Sequence, residues 1–193
     1  MSTRTNTPAA APAPVVANTS GTLRPLYFLR FAFALAWAAL LFTSADGLGA
    51  LSTTLLVAYP LFDVGCAVVD IRSAKAGRGP VRGLYANVAL STLTAAGLAA
   101  AAGHGIPAVL RVWGAWAITA GLVQLIVGIL RRGMGGQWPM IASGAISTLA
   151  GTSFIAQAGK GDASLTTLAG YAFLGGVFFL VSAMRLGRTN SPA

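Results

Sequence analysis

Glutamate is absent from this chain of 193 residues, and four aspartates are its only acidic side chains. Histidine and cysteine occur once each. These gaps exclude a good deal. A metal centre needs several His, Cys, Asp or Glu side chains around one ion, and a paired-carboxylate hydrolase needs two acids facing each other. Cys66 alone forms neither an internal disulfide nor a metal cluster. No GxSxG elbow occurs, and Gly159-Lys160-Gly161-Asp162 lacks the first glycine and the Ser/Thr of a phosphate loop. Neither an enzyme nor a cofactor is expected. Charge of any sign is scarce too. Only 9% of the residues are charged, against about a quarter in a soluble domain, so an ordinary water-facing surface cannot be built.

What the chain has in abundance is apolar sequence, 55% of its residues. Runs of eighteen or more apolar residues mark membrane spans. Six such runs stand at about 26–45, 48–69, 84–102, 106–130, 138–158 and 164–184. The expected fold is therefore an all-α membrane protein with six transmembrane helices. A tail at 1–23, rich in Ala, Pro, Thr, Ser and Asn, has the composition of a disordered segment. The membrane domain is expected over 24–188, as hairpins 24–72, 83–132 and 137–188, with a short tail at 189–193. A leader cleaved after Ala45 would be unusually long and would remove the first span, so cleavage is not expected.

The net charge of +9 does not point to nucleic acid. The basic residues gather at span ends and form no aromatic-interleaved face. Arg4, Arg24, Arg72, Lys75, Arg78, Arg82, Arg131, Arg132, Arg185 and Arg188 all fall on one side, and only Lys160 falls in the opposite loops. Lys and Arg in short loops mark the cytoplasmic face. Both termini are therefore expected in the cytoplasm. The lipid bilayer is the implied partner; a homo-oligomer or a membrane-protein partner stays open.

The outer turns repeat a pattern: Gly47-Leu48-Gly49, Gly103-His104-Gly105 and Gly159-Lys160-Gly161, spaced by 56 residues both times. The same offset aligns Ser91-Thr92-Leu93 with Ser147-Thr148-Leu149, and twice the offset aligns Tyr59 with Tyr171. A fixed period marks a repeated supersecondary unit, here a helical hairpin. Three parallel hairpins imply approximate threefold pseudo-symmetry about the membrane normal. Glycine suits such turns because it reaches positive φ freely.

At this point the residues also resemble a family. Leu29-Arg30 opening an apolar helix, followed by Tyr59-Pro60-Leu61-Phe62-Asp63-Val64-Gly65 in its partner, is similar to the first hairpin of the HdeD family. Trp138-Pro139-Met140 to Gly144 and Tyr171 to Gly176 are similar to its later repeats. Members usually carry glycine after that arginine, where this chain has Phe31. The resemblance implies a small bacterial inner-membrane protein associated with acid or general stress tolerance. It carries over no catalytic residues.

Charged groups inside spans are expensive and are therefore the first functional candidates. At 1.5 Å per residue, Arg30 lies about 7 Å and Asp63 about 10 Å from the inner ends of their spans. A salt bridge between them is expected, either as a proton-responsive gate or as a lock on the first hairpin. Asn87 and Gln124 could complete a polar layer with that pair, or serve as interhelical glue. Asp70 is expected at the inner interface near Arg24, and Arg111 at the outer interface, snorkelling to headgroups. His104, in an outer turn, is a weak candidate for a pH sensor. Small residues at four-residue spacing, Ala117 with Gly121 and Ser143 with Ser147, suit close helix packing. Two functional readings follow: an HdeD-like, non-enzymatic stress protein, or a small-solute, ion or proton transporter or channel using the Arg30/Asp63 layer.

Overall fold

The structure is a computed structural model that describes residues 17–76, 81–130, 132–134 and 137–188. Six long helices form it: α1 (Ala17–Thr43), α2 (Ala50–Ala76), α3 (Arg82–Ala102), α4 (Ile106–Leu130), α5 (Trp138–Gln157) and α6 (Thr166–Arg188). Each contains a segment long and apolar enough to cross a membrane. In lipid every backbone polar group must find a partner within the segment, which leaves helix as the economical choice.

Two ends differ from the sequence reading. α1 already begins at Ala17, so 17–23 is helix where a disordered tail was expected; the rest of that tail, and 189–193, lie outside the described residues. α2 runs on to Ala76 and carries Asp70, Arg72 and Lys75 on helix, where a loop was expected after residue 69. Charge ends an apolar run but does not end a helix. After Gly65, the next glycine or proline in the sequence is Gly77, followed by the Gly79-Pro80 pair.

The short turns sit at one end of the bundle and the basic helix ends at the other. Gly105 turns with φ of 88° and is the only glycine with positive φ among the described residues. The glycine rationale holds there alone. The first turn uses a serine instead: Ser52 Oγ accepts from the Gly49 N–H at 2.9 Å and donates to the Gly47 carbonyl at 2.9 Å.

The helices close a ring in chain order. α4 packs most extensively on α5, followed by α1 on α6 and α2 on α3, while the contacts within each sequence hairpin are lighter. The α4/α5 contact is a glycine seam at heptad spacing, with Gly114, Gly121 and Gly128 facing Gly144 and Gly151. A Cβ on Gly114 would stand 2.6 Å from the Gly151 carbonyl, and one on Gly144 would stand 2.6 Å from the Leu125 nitrogen. Spacing of seven keeps one stripe facing its partner along the contact. Glycine there lets the backbones touch, which is how helices gain dispersion energy where no hydrophobic drive exists.

The interior is not uniform along the membrane axis. The largest fully buried side chains are Trp37, Trp113, Leu41, Leu56, Leu98, Leu110, Leu165 and Leu168. All belong to the half nearer the glycine turns. Toward the basic end Arg30, Asp63, Asp70, Asn87, Gln124 and Ser143 are partly buried, beside buried apolar residues such as Leu26, Cys66 and Ile71. One end of the bundle is filled by the largest fully buried apolar side chains, and the other holds the partly buried polar ones.

The seam predicts a contrast between glycines. Gly144→Leu forces a side chain into backbone, and overpacking of this kind costs about 1–3 kcal/mol or more. Gly65→Ala enters open space and is expected to leave stability within about 0.5 kcal/mol. Thermal unfolding in detergent checks both; equal losses would remove the seam from the account.

Candidate functional site

Three charged side chains meet in the polar half. Arg30, on the inward face of α1, places Nη1 3.1 Å from Asp63 Oδ1 and Nη2 3.3 Å from Asp70 Oδ2. The two aspartates are seven residues apart on α2, two helical turns, so they stack on one face. One guanidinium fork spans them. Its plane also lies over the Phe179 ring of α6, with 5.2 Å from Cζ to the centroid, a cation–π contact that strengthens in a desolvated setting. The side chains are 12% exposed for Arg30 and 18% for each aspartate.

Asp63 is held from a second side. Asn87 Nδ2 donates to its Oδ2 at 2.7 Å, and Ser91 Oγ donates to the same oxygen at 2.9 Å. Both donors sit four residues apart on α3, on the face that packs against α2. Asp63 thus accepts three hydrogen bonds from two helices. Among the described residues Asp70 accepts only the bond from Arg30, and its Oδ1 is buried with no hydrogen-bond partner. Arg30 Nε is buried and unpartnered as well. Cys66, between the two aspartates on α2, lies against the same guanidinium.

Sequence expectation and structure can now be compared residue by residue. Arg30, Asp63 and Asn87 meet at one site. Gln124 does not join them: its Oε1 faces Ser143 Oγ of α5 at 3.5 Å. α4 stands on the far side of α3 from α2 in the ring, and this sets Gln124 beside α5. Asp70 is not paired with Arg24. Its face on the extended α2 points it to Arg30, while Arg24 stands over the Phe28 ring at 5.6 Å. His104 is exposed in the turn after α3, its Nδ1 3.0 Å from the Ala100 carbonyl. Arg111, read as a snorkelling side chain, reaches the Ala158 carbonyl at 3.4 Å. It thereby satisfies one of the orphan acceptors at the end of α5.

Ser91 was legible only as a repeat marker. Its place four residues after Asn87 is the signal that both reach α2 together. The Asp63/Asp70 spacing of seven was an equally plain sign of a shared face.

Directly beyond the charge site lies the plug. Pro60, one turn from Asp63, has no N–H to give the Leu56 carbonyl. The neighbouring Leu55 carbonyl accepts from Trp37 Nε1 at 2.6 Å. The Trp37 ring stacks on Trp113, with centroids 5.3 Å apart, and meets Tyr59 edge-on at 4.8 Å. Trp116 closes the cluster against Trp113 at 5.4 Å. The indole N–H groups of Trp113 and Trp116 are buried without a hydrogen-bond partner in the structure.

Comparison with protein-family models, with curated proteins and with solved structures finds no match for this chain. The site's chemistry rests on its own geometry. Isolated charges at mid-membrane cost about 2.5–3.5 kcal/mol each on insertion scales, so three such groups must share partners, and here they do.

The bonding pattern predicts unequal losses. Arg30→Met strands two carboxylates and is expected to cost about 3–5 kcal/mol, as breaking a buried pair does. Asn87→Ala removes one of three donors to Asp63 and is expected to cost about 0.6 kcal/mol, the usual value for an interhelical hydrogen bond in a membrane. Unfolding titrations in mixed micelles measure both. Equal costs would mean that Arg30 does not hold the site together.

Proposed function

We propose that this chain is a non-enzymatic, multi-pass protein of the bacterial inner membrane that admits a proton or small cation from the cytoplasm to its interior charge site. One observation carries the reading. Two carboxylates share one guanidinium, which leaves a net negative charge on side chains that are 12–18% exposed, in the half of the bundle that holds the partly buried polar groups. A charge of that sign inside a bilayer calls for a counter-cation, and intramembrane acids commonly mark ion or proton pathways. The aromatic and leucine plug on the other side gives such a pathway a closed end.

The rest of the reading is supported by the sequence. The basic residues at the polar end favour a cytoplasmic location for both termini. Three repeated hairpins about one axis agree with the glycine turns at 56-residue spacing and with an alternation of heavier and lighter contacts around the ring. Kinship with the HdeD family rests on the Leu29-Arg30 and Tyr59–Gly65 segments. An acid-tolerance role belongs to that kinship, and a proton-accepting interior would suit it.

Flux measurements test the pathway. Purified protein in liposomes with an interior pH dye is expected to carry protons above the rate of empty vesicles, with the rate changed at least tenfold in Asp63→Asn. Rates equal to those of empty vesicles, at neutral and at acidic outer pH alike, would overturn it.

Orientation has its own test. A cysteine replacing His104, in a Cys66→Ala background, is expected to react with a membrane-impermeant thiol reagent applied outside intact spheroplasts. Labelling only after lysis would place the glycine turns in the cytoplasm instead.

A further inference from the structure

The two aspartates are not equivalent, and the difference assigns them separate tasks. Asp63 has both oxygens engaged: Arg30 Nη1 on Oδ1, Asn87 Nδ2 and Ser91 Oγ on Oδ2. A proton placed on Oδ2 would have to displace a hydrogen bond from α3, and one on Oδ1 would take the remaining lone pair of an oxygen already bound to the guanidinium and weaken that bond. Asp70 has Oδ2 on Arg30 Nη2 at 3.3 Å and nothing on Oδ1, a buried atom. A proton on that oxygen breaks no existing bond.

We infer that Asp70 is the proton-binding group of the interior site and that Asp63 is its fixed anchor. The inference rests on the reading of this site as cation-accepting and names both the cation and the atom that receives it. One proton on Asp70 Oδ1 turns a cluster of one guanidinium and two carboxylates into a neutral one. Arg30 keeps both of its partners while this happens. The groups within electrostatic reach of Asp70 are Arg30 and Tyr27 from α1, and Asp63 and Cys66 on α2 itself. Phe179 is the residue that α6 sets against Arg30. Only Arg30 among these carries positive charge.

The chemistry selects a proton over a metal cation. Hard metal ions take several oxygen ligands at once, and here a single carboxylate oxygen is free. Among the described residues no three His, Cys, Asp or Glu side chains gather into a metal-binding group. A lone oxygen next to a guanidinium can accept a hydrogen; it cannot complete a coordination shell.

The scarcity of acids makes the assignment directly readable. With no glutamate and four aspartates in the chain, the double variant Asp46→Asn/Asp162→Asn leaves Asp63 and Asp70 as the only carboxylic side chains. In that background, the full-length protein in liposomes is examined by infrared difference spectroscopy between neutral and acidic buffer. The C=O stretch of a protonated carboxyl group is expected as one reversible band beside the signal of the C-terminal carboxyl.

Asp70→Asn should reduce that band at least tenfold. Asp70→Glu should restore it at a displaced frequency, which excludes loss through misfolding. Asp63→Asn should retain it. A band that survives Asp70→Asn, or no side-chain band in the parent, overturns the inference. Proton flux without an Asp70 band also overturns it, whereas an Asp70 band without flux upholds it and removes only the transport reading.

Discussion

A guanidinium that must serve two carboxylates inside a bilayer constrains much of what surrounds it. Arg30 can reach both only if α1 lies against the face of α2 that carries positions 63 and 70. Asp63 then has lone pairs left over, and α3 answers with Asn87 and Ser91 on one face. Phe179 brings α6 over the guanidinium from the other side. Four of the six helices are thus placed in part by one cation. Removal of Arg30 leaves two carboxylates without their cation and costs kilocalories, whereas removal of a neutral donor such as Asn87 costs about 0.6 kcal/mol.

The remaining two helices are placed by the opposite means. α4 and α5 meet through glycine, with backbone on backbone along the seam, and Arg111 reaches the Ala158 carbonyl only at the end nearer the glycine turns. Contacts of that kind have no slack, because a packed interface is close to crystal density and tolerates little displacement. The ring therefore joins a stiff glycine-seamed pair to a set of helices held by ion pairs and hydrogen bonds. Polar contacts can exchange partners as protons come and go, whereas a glycine seam can only hold or separate.

The six helices were legible in the sequence because hydropathy reads length directly, and the basic residues read the polar end. Arg30 and Asp63 were legible as a pair because depth along a helix follows from the residue count. Asp70 was misplaced for a related reason: the apolar run stops at 69, and the end of an apolar run was taken as the end of the inward-facing helix. The helix continues with its phase intact, so a residue at the edge of the hydropathy window still points inward. Gln124 was assigned to the charge site by depth alone. Depth says nothing about which neighbour a helix faces, and the order of packing around the ring put it beside α5. The glycine seam was present as spacings of seven in both α4 and α5, obscured by attention to spacings of four.

The plug and the charge site are parts of the same two helices, and this ties their geometry. Trp37 stands seven residues after Arg30, on the same face of α1. Leu55, whose carbonyl it holds, precedes Asp63 on α2 by about two turns, with Pro60 between them. Arg30–Asp63 and Trp37–Leu55 are therefore two rungs between the same rails. A proline between the rungs removes a helical hydrogen bond and lets α2 bend there at low cost. The lower rung is ionic and depends on the charge of the cluster; the upper is an indole N–H on a carbonyl and does not. A change of charge below thus alters the pull on α2 while the contact above stays chemically the same. Pro60 is where a bend of α2 would reconcile the two. If the site takes up the proposed proton, the change of charge would reach the plug through α1 and α2, which carry both.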